Sequence, residues 1–155
     1  MTKRVRLSQL LEGMEFQTDE STSYLNKTTG EIVTITDEEF RAAEEDEPAE
    51  EHPEWQRDSI RVAKELLNAD YFIELPSKFD IHEYSIMERF CFSLSDEALR
   101  EEMYHSIKGS GAFRRFRENI QRHSIADEWH RYRDEAMKQV AIDWCEANGI
   151  DYVDD

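Results

Sequence analysis

The segment Ser23–Thr36 reads SYLNKTTGEIVTIT, and it decides the fold. Two runs rich in β-formers, Tyr24–Asn26 and Ile32–Ile35, flank Lys27-Thr28-Thr29-Gly30-Glu31. A glycine late in such a loop suits a last position of positive φ, so the reading is a bulged β-hairpin. A lone hairpin is marginal in water, so it needs a third strand or a helical layer against it. Tyr71–Leu75, closed by Pro76, is the candidate third strand.

Outward from the hairpin, the pattern turns helical. Before it, Leu7, Leu10, Leu11 and Met14 recur at helical spacing within Val5–Phe16, with Ser8 as a candidate cap. This segment is a short helix, or a strand turning into one. After the hairpin, the stretch 37–51 carries nine acids and one base, Arg41. Thr36 or Asp37 can cap a short helix there through Phe40 and Ala43, up to the break at Pro48. The stretch reads as a solvated acidic connection or as a docking strip for a basic partner.

Pro53 suits the start of a helix whose expected apolar face is Trp55, Val62, Ala63, Leu66 and Leu67. A further helix is expected from Asp80 to Leu94, with Ile81, Tyr84, Met87, Cys91 and Leu94 inward. Ser95 is the expected cap of the next, through Leu99 and Met103 to Ile107, and Gly109-Ser110-Gly111 then breaks the chain. The following helix turns Phe113, Phe116 and Ile120 inward. The last, from Ala126 to Ala147, carries a stripe of Trp129, Tyr132, Ala136, Val140 and Trp144. Asn148-Gly149-Ile150 ends it, and Asp151–Asp155 is an acidic tail.

The predicted fold class is α+β: an N-terminal hairpin, with its candidate third strand, packed on a C-terminal bundle of about four or five helices. The 155 residues suit a single domain. Its expected parts are a hairpin-containing region 1–36, the acidic connection 37–52, a mainly helical region 53–150 and the tail 151–155. Apolar residues are 39%, but eight Phe, six Tyr and three Trp bury large areas each, which supports a compact core. The net charge of −17 repels phosphate backbones and anionic lipid, so nucleic acid is disfavoured and a partner with a basic surface is favoured. The opening residues lack a signal-peptide run, and no stretch approaches the ~20 apolar residues of a membrane span. The expected compartment is the cytoplasm, with Cys91 and Cys145 as buried free thiols.

Candidate chemistry is sparse. His52, His82, His105, His123 and His130 form no metal-ligand spacing, although His123 and His130 could converge across a helix junction. No nucleophile motif, Walker loop or dinucleotide fingerprint is present, so no catalytic residue, metal or cofactor is assigned. The anomaly is Lys108–Arg117: four cations (Lys108, Arg114, Arg115 and Arg117) and no acid, with Arg122, Arg131 and Arg133 following. The three arginines 114, 115 and 117 lie in the first turns of their helix, where the dipole disfavours cations. Either they pair internally, with the acid strip or neighbouring helices, or they form an anion or acidic-peptide site. The candidate binding residues are Ser110, Arg114, Arg115, Arg117, Trp129 and Arg133. Trp129 is either core or a stacking platform together with Tyr132.

The block Gly109–Phe116 fits the pattern G-x-G-A-F-x-x-F, and Glu128-Trp129, Tyr132–Ala136, Trp144 and Asn148–Ile150 follow it. With the Thr29-Gly30-Glu31 hairpin, Pro53-Glu54-Trp55 and Ile73–Pro76, the chain resembles a bacterial uncharacterised protein family from about Ser23 to Ile150. The resemblance implies a bacterial cytoplasmic protein with a hairpin-plus-helices fold. It carries over no reaction, cofactor or catalytic residue. The expected function is a non-enzymatic protein-interaction or regulatory module. The alternative is a binder of a small anion or nucleotide-like ligand at the Gly109–Gly111 turn and the arginines after it.

Overall fold

A computed structural model describes residues 4–155, and the chain divides into two compact units. The first joins the residues up to Asp80 with Val140–Asp155; the second is Ile81–Gln139. The protein is α+β, with sheets of three and of two strands.

In the first unit, β1 (Val5–Arg6) runs directly into α1 (Leu7–Phe16), so the opening segment is a strand turning into a helix. Ser8 does not cap that helix: Arg6 holds the cap position, and the Ser8 hydroxyl and amide both donate to Asp155. The hairpin forms as expected from β2 (Ser21–Asn26) and β3 (Ile32–Thr36), with Tyr24 opposite Val33. Its loop is built by Asn26, whose side-chain oxygen accepts from the Thr28 and Thr29 amides while its carbonyl accepts from Gly30 at φ 78°. The third strand is present as β4 (Phe72–Glu74), antiparallel to β2.

Period-two alternation gives this sheet two working faces. Tyr24, Val33 and Ile35 meet Phe40, Ala43, Val62 and Ala63 from α2 (Asp37–Glu44) and α3 (Glu54–Asn68). On the opposite face, the Ser23 hydroxyl donates to the Gly13 carbonyl of α1 at 2.8 Å and contacts Thr34. A Cβ on Gly13 would sit 2.8 Å from Ile32 and 2.9 Å from Leu75, so the small residue lets α1 lie against the strands.

Only part of the stretch 37–51 is a solvated connection. Thr36 and Glu39 form a reciprocal capping box that opens α2, and Glu39 is buried there. Ala42, Ala49 and Ile60 make a small core of their own, and Lys64 and Arg61 of α3 pair with Asp46 and Glu50. The buried line of α3 is Gln56, Ile60 and Ala63, at i, i+4 and i+7; Trp55, expected inward, is 77% exposed. Asp151–Asp155 is not a free tail either. Tyr152–Val153 forms β5, parallel to β1, and the Asp155 carboxylate also accepts from Arg6. Hydrogen bonds from the Ser8 hydroxyl and amide, then Arg6, pull that carboxyl down to about 2.

In the second unit, the helix expected over 80–94 is broken. A short α4 (Lys78–Ile81) crosses the boundary and stops at His82, whose φ of 55° is left-handed, and α5 (Glu83–Ser93) begins there. No glycine or proline marks that break. The cap of α6 (Glu97–Ser106) is Asp96, which accepts from the Leu99 amide, rather than Ser95. The core gathers Met87, Phe90 and Cys91 of α5, and Leu94 just past its end, with Met103 and Ile107. To these α7 (Ala112–Arg122) adds Ala112, Phe116 and Ile120. Tyr84 and Phe113, expected inward, are exposed and stack edge to face on each other at 6.4 Å.

The final helix, α8 (Ala126–Ala147), begins in the second unit and ends in the first. Its fully buried positions are Met137, Ala141 and Cys145, one step round from the predicted stripe; Trp129, Tyr132, Ala136, Val140 and Trp144 are half-buried. The stop at Asn148–Ile150 is as read: the Ile150 amide bonds back to the Cys145 carbonyl, and Ile150 is buried. Both cysteines are free and buried, and burial pushes each thiol up to about 11.

Candidate functional site

The turn Gly109–Gly111 and helix α7 settle the fate of the arginines one at a time. Gly111 precedes α7 at φ 78°, and a Cβ there would lie 3.1 Å from an Arg115 nitrogen. Arg115 folds back over this turn. Its guanidinium donates to the Ser106, Lys108 and Ser110 carbonyls, each at 2.6 Å. These are the carbonyls left without helical partners past α6, so Arg115 closes a helix end. That resolves one of the first-turn cations: it serves the preceding helix. Lys108 lies 3.8 Å above the Tyr104 ring, whose hydroxyl holds the ammonium pKa above its ordinary value.

Ser110 and Arg114 are exposed on this turn and at the start of α7. The other three candidates converge. Arg117, Trp129 and Arg133 line one cleft of about 280 Å³, together with Glu83, Ile86, Met87, Phe113 and Phe116. Position 117 follows Phe113 by four residues on α7, and position 133 follows Trp129 by four on α8, so each helix presents an aromatic ring and a guanidinium on one face.

The floor of the cleft is preformed. Ile86, Met87 and Phe116 are buried. Phe90 packs edge to face on Phe116, Trp129 and Tyr132, with centroids 6.1, 5.3 and 5.4 Å away, and Phe116 meets Trp129 at 4.8 Å. Trp129 is thus a wall of this core with one face left to the cleft. At the rim, Arg133 donates to Glu83 at 2.8 Å. Arg117 is exposed and, among the described residues, makes no hydrogen bond or ion pair. Two cations and one carboxylate leave the rim with a net positive charge on a chain of −17.

Of the residues singled out in the sequence, Arg117, Trp129 and Arg133 line this cleft; Glu83, Ile86, Met87, Phe113 and Phe116, which complete it, were not among the candidates. The repeated aromatic-x-x-x-Arg spacing on two neighbouring helices was a usable signal. Nothing in the sequence links Glu83 to Arg133, fifty residues away. The groups assembled here are guanidiniums, a carboxylate and ring faces. Among the described residues no group of three or more His, Cys, Asp or Glu side chains could hold a metal ion. No helix among them is long and apolar enough to cross a membrane.

In comparison with known proteins, the model of an uncharacterised protein family (UPF0158) matches residues 2–155. No curated protein and no solved structure matches the chain.

Proposed function

The chain belongs to the uncharacterised protein family UPF0158, and from the geometry of its cleft we propose that it is a non-enzymatic protein-interaction module. The observation that carries this reading is the unpartnered Arg117 beside the half-exposed Phe113, over a rigid aromatic floor. Anchor pockets in protein interfaces combine buried aromatic walls with arginine in this way. The acid strip is the weaker candidate surface, because Glu39, Asp46 and Glu50 are engaged inside their own unit. Its exposed acids favour a partner whose surface is basic around the contact.

The anion site proposed at Gly109–Gly111 has less support, because Arg115 and the Ser110 carbonyl already bond each other. A photo-crosslinking benzoylphenylalanine in place of Phe113, in cells that make the protein, tests the main reading. The expected result is a discrete crosslinked protein that is absent when the crosslinker replaces the exposed Leu67 and lost with Arg117→Glu. The same crosslinks from both positions would exclude the cleft as the working surface.

A further inference from the structure

We infer that the occupant of the cleft is an acidic peptide segment of a partner protein, which inserts one apolar side chain onto the aromatic floor and sets a carboxylate on Arg117. This rests on the interaction reading above and specifies what enters. Size comes first. At about 280 Å³ the cleft lies just under the range of roughly 300–1,000 Å³ that holds small molecules and cofactors. It has room for one or two side chains, with the rest of the occupant lying outside.

Chemistry comes second. The floor of Ile86, Met87, Phe116 and Trp129 offers apolar and ring surface and no donor except the indole N–H. The polar groups stand at the rim, so an apolar group goes in and a charged one stays at the mouth. Arg117 selects an anion there, and the planar fork of arginine matches a carboxylate with two parallel bonds. The distant acids of this chain do not cancel that preference. At physiological ionic strength the screening length is about 8 Å, whereas an occupant at the rim contacts Arg117 directly.

The fold also supplies an internal rival. Glu83 already places a carboxylate on Arg133 from the first turn of α5. An incoming carboxylate finds Arg117 open and Arg133 occupied.

Fluorescence anisotropy on the full chain tests this with a fluorescein-labelled nine-residue peptide carrying one phenylalanine flanked by aspartates. Control peptides replace the phenylalanine by alanine or the aspartates by lysines. The expected result is saturable binding of the acidic phenylalanine peptide, weakened at least tenfold in either control. Arg117→Glu should weaken it at least tenfold with an unchanged Tm. Equal binding of the lysine peptide, no binding of the acidic one, or tighter binding of free phenylacetate than of the peptide each overturns the inference. So does Arg117-dependent self-association of the chain, which would make a second copy the occupant. If the acidic peptide fails while the Phe113 crosslink stays discrete and Arg117-dependent, the interaction reading survives and only this account of the occupant falls. Loss of that crosslink specificity removes both.

Discussion

At the scale of single residues, side chains that look alike in the sequence separate by what they touch. Arg114, Arg115 and Arg117 form one basic run, yet Arg115 closes a helix end and Arg117 stands open at the cleft. Hydrogen bonds from a charged donor contribute roughly 1.5–3 kcal/mol, less where water replaces them. Lys108 and Ser110 are exposed, so Arg115→Ala should lower unfolding free energy by about 1–2 kcal/mol in urea titration. Arg115→Lys should not restore it, because an ammonium cannot reach three divergent carbonyls. Asp155 gives a pH prediction. Its carboxyl is held down by Ser8 and then Arg6, from an ordinary 3.8 to about 2, so the folded state favours the ionised form. The contribution is present above about 3.8 and is lost as pH falls through about 2. The Ser8 amide resonance should therefore titrate with a midpoint near 2, and a midpoint near 3.8 would mean the contact is absent in solution.

At the scale of elements, the strands, most helices and the Gly149 stop were legible because local chemistry fixes them: Asn26 and Gly30 make the turn, and Thr36 with Glu39 starts α2. The misread positions belong to tertiary choices. Trp55 and Phe113 are apolar and sit on helices, but the chain turns Gln56 and Ala112 to the core instead. The His82 break carries no glycine, and three of the eight cleft residues come from α5, whose approach to α7 and α8 no periodicity encodes. Gly13 shows two local rules in competition. Alanine in a helix interior gains about 0.5–1 kcal/mol over glycine. Its methyl would press on Ile32 and the buried Leu75, and overpacking costs about 1–3 kcal/mol. The second effect is larger, so Gly13→Ala should lower Tm, and a raised Tm would show that α1 can shift away from the sheet.

At the scale of the whole molecule, the charge of −17 sets the background against which any local site acts. At low salt, with a screening length near 30 Å at 0.01 M, that field opposes an acidic occupant over a long range. At 0.15 M only the rim charges matter to it. Affinity for the acidic phenylalanine peptide should therefore rise between these two conditions, opposite to an ordinary exposed ion pair. A monotonic fall would place the peptide elsewhere. The division of the chain also has a consequence in time. The first unit is interrupted after Asp80 and resumes at Val140, with the second unit lying between. On a ribosome, which adds roughly 5–20 residues per second, the sheet and its helices emerge several seconds before the β5 segment that pairs with β1. The first unit therefore waits for its last strand until the segment that carries the cleft has been made.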